Sequence, residues 1–419
     1  MKDGWRTVTL GEACHFINGL WKGETPPFVH VGVIRNTNFA KDGGLDFSDI
    51  AYLDVEAKKF AKRRLQYGDI VLEKSGGGPK QPVGRVVFFD KSEGDFSFSN
   101  FTSAIRVKEP DTLDPQYLHR YLHRLYVSGH TEAMQSHSTG IRNLNGDAYK
   151  AIKVSFPRLD EQRRLVAILD EAFEAIATAK ANTEKNLQNA REMAESLGEL
   201  FFNECVDNDF EPRELAKVCE LIVDCEHKTA PTQEHGIPSI RTPNIGKGHL
   251  ILDGVNRVSE ATYAEWTRRA VPRAGDLILA REAPAGNVAV IPKDLRVCLG
   301  QRTVLIRPRR DIFLPEYLAY LLLQRPSQQR LLAHSRGATV QHINLRDIRA
   351  FLISAVPSLE QQARVIAKLA EVEAARQSLE RTQARKLAAL EELKQSLLHQ
   401  AFSGQLTARQ ADRTVAADV

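Results

Sequence analysis

The amino-acid sequence repeats itself after about half of its 419 residues. The motif from Pro157 to Gln162 recurs from Pro357 to Gln362, and 357 minus 157 gives an offset of 200 residues. The offset widens toward the front of each half, where Gly68-Asp69-Ile70 corresponds to Gly275-Asp276-Leu277. Self-similarity on this scale indicates two copies of one structural unit, each with a globular part followed by a helical part.

Two segments have the composition of long helices. Residues 160–202 contain no proline and one glycine, and residues 359–402 contain neither. Apolar residues recur every three or four positions in both, although Lys180 and Thr183 interrupt the first stripe and the second slips by one residue after Leu379. A helix of about 43 residues is about 65 Å long, so its stripe requires a partner along its length.

The other long helix is the simplest partner. Each helix leaves its own globular part and must reach the other one, so side-by-side packing requires an antiparallel pair. The side chains predicted at this interface, or at contacts of the helices with partner proteins, are Leu169, Phe173, Ile176, Leu197, Phe202, Leu369, Leu390, Leu397 and Phe402. Two unrelated helical hairpins in a bundle would explain the stripes but not the shared offset.

Short β-rich runs alternate with turn residues in both globular parts, for example from Ile70 to Glu73 and from Leu277 to Ala280. We therefore predict an α+β fold in which two globular domains are separated by a pair of long antiparallel helices, a coiled coil, with a pseudo-two-fold internal repeat. The predicted boundaries are 1–157 for the first globular domain, 158–203 for the first helix, 204–357 for the second domain, 358–406 for the second helix and 407–419 for a C-terminal tail.

Common catalytic motifs are missing from the sequence. It contains no G-x-x-x-x-G-K-[ST] phosphate loop, no G-x-G-x-x-G fingerprint after a strand, no H-E-x-x-H and no G-x-S-x-G elbow. The glycine-rich run from Ser75 to Lys80 lacks the ending that contacts phosphate and metal. The one cysteine cluster, Cys219, Cys225 and His227, is interpreted as one buried and one solvated thiol rather than a metal site. We predict no catalytic residue and no metal ligand.

The composition permits a nucleic-acid partner and gives no sign of a membrane span. The net charge of +4 is a sum over basic loops and mixed-charge helices, so it understates any local basic surface. No run of about 18 apolar residues could cross a bilayer. The residues after Met1 lack the apolar core of a secretory signal, so the cytoplasm is the expected compartment.

Polar loops follow equivalent strands in the two halves, with Lys74 and Arg281 directly after the Gly-Asp-Ile and Gly-Asp-Leu strands. Arg and Lys can donate to guanine O6 and N7, and Asn or Gln can pair with adenine N6 and N7. The candidate DNA contacts are Arg35, Asn36, Asn38, Lys74, Ser75, Lys80, Thr139, Arg142, Arg241, Asn244, Arg281, Gln301, Arg302, Thr339, Gln341 and His342. Any single one is more often a solvated or capped turn residue, and the paired recurrence is what favours a nucleic-acid interface.

Taken as a whole, the sequence resembles the specificity subunit of Type I restriction-modification enzymes. The resemblance is carried by the helix entrances at Pro157 to Gln162 and Pro357 to Gln362 and by the exit from Ser396 to Leu406, of which Ser196 to Phe202 keeps only part. It implies that each globular part is a target-recognition domain for one half of a split, asymmetric site in double-stranded DNA. It also implies that the chain is not itself an enzyme.

The resemblance further implies protein partners. Two methyltransferase subunits would dock on the helices, which also set the distance between the half-sites, and motor-endonuclease subunits would join them. S-adenosylmethionine, ATP and Mg would be held by those partners, and this chain would bind no cofactor of its own.

Three alternatives stay open from the sequence. A specificity subunit of a fused or Type II-like restriction system would differ in its partners rather than in its DNA recognition. A coiled-coil scaffold with two protein-binding heads would explain the helices but predicts no sequence-selective affinity for DNA. An enzyme with an unfamiliar site is the weakest, because neither half contains an obvious pair of nucleophile and base.

Overall fold

The computed structural model describes residues 4–20, 23–40, 43–78, 81–138, 141–203, 211–333, 342–353 and 356–406. The chain forms two compact units, residues 1–184 with 383–419 and residues 185–382. Each unit therefore combines one globular domain with parts of both long helices. Among the described residues, no helix is long and apolar enough to cross a membrane.

The first unit is built from short strands and helices followed by one long helix that continues into the second unit. The elements in chain order are β1 (Arg6–Thr9), α1 (Leu10–Ala13), β2 (Cys14–Asn18), β3 (Phe28–Ile34), β4 (Ala51–Glu56), α2 (Ala57–Ala61), β5 (Ile70–Glu73), β6 (Ser75–Gly77), β7 (Val86–Phe88), β8 (Phe96–Phe98), β9 (Thr102–Val107), α3 (Pro115–Val127), β10 (Gln135–Ser138), β11 (Ile141–Leu144), α4 (Gly146–Lys150), β12 (Lys153–Phe156) and α5 (Leu159–Asn203). Short 3-10 helices lie at Asn36–Asn38 and Glu132–Met134.

The central sheet of the first unit is antiparallel, in the order β2-β9-β5-β7. A second sheet has the order β4-β3-β8, with β3 and β8 parallel, a third has the order β10-β11-β6, and β1 pairs with β12. Successive residues of β5 face opposite sides of the sheet: Ile70 and Leu72 pack with Tyr117 of α3, whereas Val71 packs with Phe98 of β8. The central strand is therefore buried on both faces.

The described residues of the second unit follow the order of elements of the first with fewer strands and one additional helix, α9. The elements in chain order are β13 (Arg213–Glu214), α6 (Leu215–Val218), β14 (Cys219–Asp224), β15 (Ile237–Ile240), β16 (Arg257–Val258), α7 (Glu260–Trp266), β17 (Leu277–Ala280), β18 (Val288–Val290), β19 (Cys298–Leu299), β20 (Thr303–Pro308), α8 (Pro315–Leu323), α9 (Arg325–Leu332), α10 (Leu345–Arg349), β21 (Leu352–Ile353) and α11 (Leu359–Ser403). A 3-10 helix lies at Thr242–Asn244.

The sheet order of the second unit repeats that of the first. Its central sheet runs β14-β20-β17-β18, its second sheet runs β16-β15-β19 with β15 and β19 parallel, and β13 pairs with β21. Leu277 and Leu279 pack with Tyr317 of α8, and Ile278 packs with Ile240 on the opposite face. The predicted α+β fold and its internal repeat are confirmed. The sheet formed by β6, β10 and β11 has no counterpart among the described residues of the second unit.

Each long helix has a buried glutamine in its first turn, which explains the repeated entrance motif. The Gln162 side chain is fully buried, and its amide nitrogen donates to the carbonyls of Pro157 (2.8 Å) and Thr112 (2.9 Å). Its amide oxygen accepts the backbone N–H of Asp114 at 2.8 Å. The corresponding partners of Gln362 are the carbonyls of Pro357 and Ile312 and the N–H of Leu314. Glutamine supplies two donors and an acceptor at this reach, so it joins the helix to the segment before α3 or α8.

The two helices pair antiparallel within each unit, as predicted. In the first unit, Leu169 shares a core cluster with Leu398, and one turn farther along α5 the Phe173 ring lies 5.1 Å from Nζ of Lys394. Residues later in α5 therefore contact residues earlier in α11, which is the pattern of an antiparallel pair. The predicted interface residues are buried or half-buried: Leu169, Phe173, Ile176, Leu197, Phe202, Leu369, Leu390, Leu397 and Phe402.

In the second unit, a polar network occupies the slip in the apolar stripe of α11. Leu379 faces solvent, and Arg376 and Glu380 are half-buried instead, with Nη1 of Arg376 2.6 Å from a Glu380 carboxylate oxygen. The same carboxylate accepts a hydrogen bond from Nε of Arg191 on α5 at 2.9 Å.

Thr183 does not interrupt the stripe of α5, because it is fully buried and its hydroxyl donates to the carbonyl of Ala179.

Candidate nucleic-acid interface

In the first unit, three segments far apart in the sequence meet at the end of β5. The backbone N–H of Lys74 donates to the carbonyl of Phe101 at 3.0 Å, and the carbonyl of Lys74 accepts the N–H of Leu144 at 2.8 Å. The turn before β9 and the strand β11 are thereby fixed on either side of Lys74. This arrangement gathers several of the predicted DNA contacts at one edge.

The second unit has the same backbone frame at the end of β17. The N–H of Arg281 donates to the carbonyl of Arg302 at 2.9 Å, and the carbonyl of Arg281 accepts the N–H of Ile343 at 2.9 Å. The two frames make Lys74 equivalent to Arg281, Phe101 to Arg302 and Leu144 to Ile343. It follows that Asn143 and His342, one residue earlier in their segments, also occupy equivalent positions.

Neutral side chains connect the loops of the first unit. Asn36 donates through Nδ2 to the carbonyl of Ser75 at 2.8 Å, and the Ser75 hydroxyl donates to Oδ1 of Asn143 at 2.5 Å. Gly76 has a φ of +96°, and a Cβ there would lie 3.2 Å from Nδ2 of Asn36, so a glycine suits this close approach. Arg142 lies opposite Gly77 in the sheet between β11 and β6.

The cations of this site are held by neighbouring polar groups. Nζ of Lys74 donates to Oδ1 of Asn18 at 3.1 Å, and burial lowers the pKa of the Lys74 ammonium. Arg35 donates through Nη2 to Asp49 at 3.2 Å. Both side chains are half-buried, so they lie at the boundary between the loops and solvent.

Charged side chains connect the equivalent loops of the second unit. Nη2 of Arg281 lies 2.9 Å from Nε2 of His342, and Nδ1 of His342 lies 2.9 Å from Oε1 of Glu282. Since a guanidinium can only donate, Nε2 accepts and the ring proton sits on Nδ1, where it is donated to Glu282. The other oxygen of Glu282 lies 2.8 Å from Nη1 of Arg302. Four side chains thus form one continuous network.

Two further candidates border this network. Gln301 donates through Nε2 to the carbonyl of His227 at 3.1 Å. Arg241 is exposed and lies against the backbone of Gly300, where a Cβ would come within 2.5 Å of Cγ of Arg241. The segments around 241, 281, 301 and 342 therefore meet in one place, as the corresponding segments of the first unit do.

Three of the candidate contacts have buried side chains with structural partners. Asn38 is 1% exposed; its Oδ1 accepts the N–H of Arg35, and its Nδ2 donates to the carbonyl of Asp49. Asn244 binds the N–H of Arg241 in the same way. Arg281 is 9% exposed and donates through Nε to a backbone carbonyl. We therefore assign these three residues to shaping the loops, which explains the recurrence of the Arg-x-x-Asn turn without a DNA contact.

Four candidates lie outside the described residues, namely Lys80, Thr139, Thr339 and Gln341. Their assignment to the DNA interface stays a prediction, as does that of the exposed and half-buried candidates.

The prediction of one buried and one solvated thiol in the cysteine cluster is wrong. Cys219 and Cys225 are both buried, and burial raises the pKa of the Cys219 thiol to about 12. His227 pairs with Asp224. In the part of the chain that the structure describes, no group of His, Cys, Asp and Glu could hold a metal ion.

The ion pairs that hold the loops in place were not predicted from the sequence. Glu73 is 1% exposed, and both of its carboxylate oxygens bind Arg85, which also donates to the carbonyls of Asn36 and Phe39. Phe101, which is 47% exposed and lies near Gly76, was not predicted either. The signal for Phe101 was its alignment with Arg302 in the repeat. Because the offset between the halves changes from 207 at Gly68 to 200 at Pro157, this alignment was not apparent from the sequence.

Comparison with known proteins identifies the family. Residues 2–189 and 208–389 each match the family described as the Type I restriction modification DNA specificity domain. The chain belongs to this family. The prediction from its helix entrances and exit is thereby confirmed, and so is a role in DNA specificity within a restriction-modification system.

Individual members of the Type I specificity family are distant relatives of the chain. The EcoBI specificity subunit of Escherichia coli is 26% identical over 42% of this chain, a match that spans 36% of that relative. The EcoKI specificity subunit of Escherichia coli strain K12 is 22% identical over 98% of this chain and 90% of its own length. A solved structure described as showing complex assembly and conformational transition of the type I restriction-modification system matches the fold with a TM-score of 0.73 and 20% identity, over 96% of this chain and 98% of that one.

Proposed function

We propose that the chain is the specificity subunit of a cytoplasmic Type I restriction-modification complex and that each domain recognises one half of an asymmetric, bipartite site in double-stranded DNA. The long helices set the unread spacer and dock two methyltransferase subunits, and motor-endonuclease subunits join the complex. S-adenosylmethionine, ATP and Mg belong to those partners.

The observation that carries this proposal is one backbone frame with different side chains. The end of β5 and the end of β17 have the same pair of backbone hydrogen bonds, at Lys74 and at Arg281. Beside them, the first unit presents Ser75 with Asn143, and the second presents Glu282 with His342. Because direct recognition depends on the donor and acceptor pattern offered to base edges, equal frames with unequal side chains favour two different half-sites.

Exposed apolar residues on the helices support a docking role. Met193 and Leu200 of α5, within the second unit, and Leu393 of α11, within the first unit, are exposed although they are large and apolar. Each lies outside the stripe that pairs the two helices. Apolar residues repeated on the outer side of a helix are typical of a surface that a protein partner covers. Family membership favours this arrangement over a scaffold with two protein-binding heads.

The test is to produce the full chain together with its methyltransferase subunit in a host without other adenine methylation and to map methylated bases by single-molecule sequencing. The expected result is one motif made of two unequal half-sites with a fixed unread spacer. A single continuous motif, a palindrome, or no dependence of methylation on this chain would overturn the proposal.

A further inference from the structure

The turn that precedes β9 in the first unit and the turn that precedes β20 in the second are held by the same two hydrogen bonds. The Thr102 hydroxyl donates to the carbonyl of Ser99 at 2.8 Å, and the Thr303 hydroxyl donates to the carbonyl of Gly300 at 2.8 Å. The residue just before each threonine accepts the N–H of Lys74 or Arg281 through its carbonyl. The same hydrogen bonds therefore fix the position of that residue in both domains, although the backbone φ is positive at Arg302 and not at Phe101.

In the first unit this tip residue is Phe101, and nothing in the core requires it. Its ring is 47% exposed and lies near Gly76, beside the polar pair of Ser75 and Asn143. An exposed phenylalanine is unfavourable in water, and it has no donor for a phosphate. Among base edges in the major groove, the thymine methyl group is the one that an apolar side chain contacts.

In the second unit the tip residue is Arg302, and its surroundings orient it. The side chain is 63% exposed, with Nη1 2.8 Å from a carboxylate oxygen of Glu282. Glu282 is in turn held by His342, and His342 by Arg281, so the carboxylate is a fixed partner rather than a mobile surface group. Holding a guanidinium in place before binding lowers the entropy lost on binding, and guanine O6 and N7 are its preferred pair of acceptors.

The backbone at Arg302 adds a second, independent sign. Its φ is +64°, a conformation that side chains other than glycine rarely adopt. Non-glycine residues in that region cluster at functional sites. Here the side chain lies in none of the apolar cores and points into the loops that family membership associates with DNA.

We propose that Phe101 and Arg302 are equivalent, specificity-determining residues: Phe101 contacts a thymine methyl group in the half-site of the first domain, and Arg302 binds a guanine in the half-site of the second. Glu282 and His342 act as positioning residues for Arg302. This inference rests on the proposed function, since it assigns one base of each half-site to a named side chain.

The test uses the complex of the full chain with its methyltransferase subunits, methylation mapping, and competition binding to duplexes changed at each position of the wild-type motif. Arg302→Gly removes the side chain while suiting the positive φ, so the fold is preserved. We expect discrimination at one guanine of one half-site to fall by about 10- to 100-fold, with the other half-site unchanged. Phe101→Ala is expected to relax one A·T position in the opposite half-site.

Matched controls separate base contact from general effects. Arg309→Ala removes an exposed arginine, paired with Asp311, just beyond the far end of β20. Tyr67→Ala removes an exposed aromatic side chain of the first unit outside the loop cluster. Both controls are expected to leave the two half-sites unchanged.

The outcomes distinguish the inference from the proposed function. If the wild-type chain directs methylation to no bipartite motif, the proposed function fails. If the bipartite motif is present and Arg302→Gly weakens binding to all duplexes equally, or leaves every position as selective as before, the inference fails and the function stands. Glu282→Gln is expected to weaken the guanine preference without changing the base preferred, and a new preferred base there would contradict its positioning role.

Discussion

Phe402, in the last turn of α11, packs edge-on against Tyr117 of α3, with ring centroids 5.1 Å apart. Leu398 and Ala401 join the same core cluster. The end of the second helix therefore completes the core of the first domain, although nearly three hundred residues separate the two rings in the sequence. In the second unit, Phe202 at the end of α5 stacks on Tyr317 of α8 with ring centroids 5.3 Å apart.

Phe402→Ala is expected to destabilise the first unit by about 3–5 kcal/mol, because it removes a buried ring and leaves a cavity. Hydrogen exchange followed by mass spectrometry in increasing urea should show earlier opening of β2, β5 and β9. Phe202→Ala is the matched variant and should act on β14, β17 and β20 instead. Equal loss of protection in both units from either variant would contradict this assignment.

Gln162→Leu is expected to destabilise the first unit by about 2–4 kcal/mol, because the N–H of Asp114 and two carbonyls would be left buried without partners. Thermal unfolding checks this prediction. Gln188→Ala, on the exposed side of the same helix, should change stability by less than about 0.5 kcal/mol. A Gln162→Leu chain as stable as the wild type would show that the entrance motif does not depend on these hydrogen bonds.

These entrance motifs were predictable from the sequence, whereas several features of the loops were not. Repeated Pro and Gln residues at a constant offset mark local structure, and the long helices follow from periodicity alone. The parallel pairing of β3 with β8 depends on contacts between distant segments. The slip after Leu379 was visible, but its cause, a pair of half-buried ionic residues, depends on Arg191 of the other helix.

The first unit is expected to lose stability as the pH falls below about 6.5. Burial, followed by the nearby charge of Arg120 and the neighbouring His123, lowers the pKa of His119 well below its ordinary value of 6.5. Below pH 6.5 the unfolded chain therefore binds a proton at this histidine that the folded chain does not bind. The free energy of unfolding consequently falls on acidification, by up to about 1.4 kcal/mol per pH unit. Urea unfolding between pH 5 and 8 measures this slope.

His119→Gln should flatten the pH dependence, whereas His15→Gln, which removes an exposed imidazole on β2, should retain it. A His119→Gln chain with the wild-type slope would assign the acid sensitivity to another group.

Lys74→Ala and Arg281→Ala are expected to differ, although the two residues are equivalent in the repeat. Lys74 is half-buried at the loop surface, so its loss should weaken binding to all sequences and reduce the salt dependence of binding by about one counterion if it contacts a phosphate. Arg281 is buried and holds His342, so its loss should lower the thermal stability of the second unit and the selectivity of one half-site. Identical binding isotherms for both variants and the wild type would remove this position from the interface.

The central claim is that the paired helices set the distance between two separately recognised half-sites. The most direct measurement is methylation mapping of a chain lengthened by seven residues in each helix, inserted after Glu184 and after Thr382, where both apolar stripes keep their register. Seven helical residues add about 10.5 Å, so the account predicts unchanged half-sites and an unread spacer longer by up to about 3 base pairs. An active complex that methylates the original motif with its original spacer would contradict it.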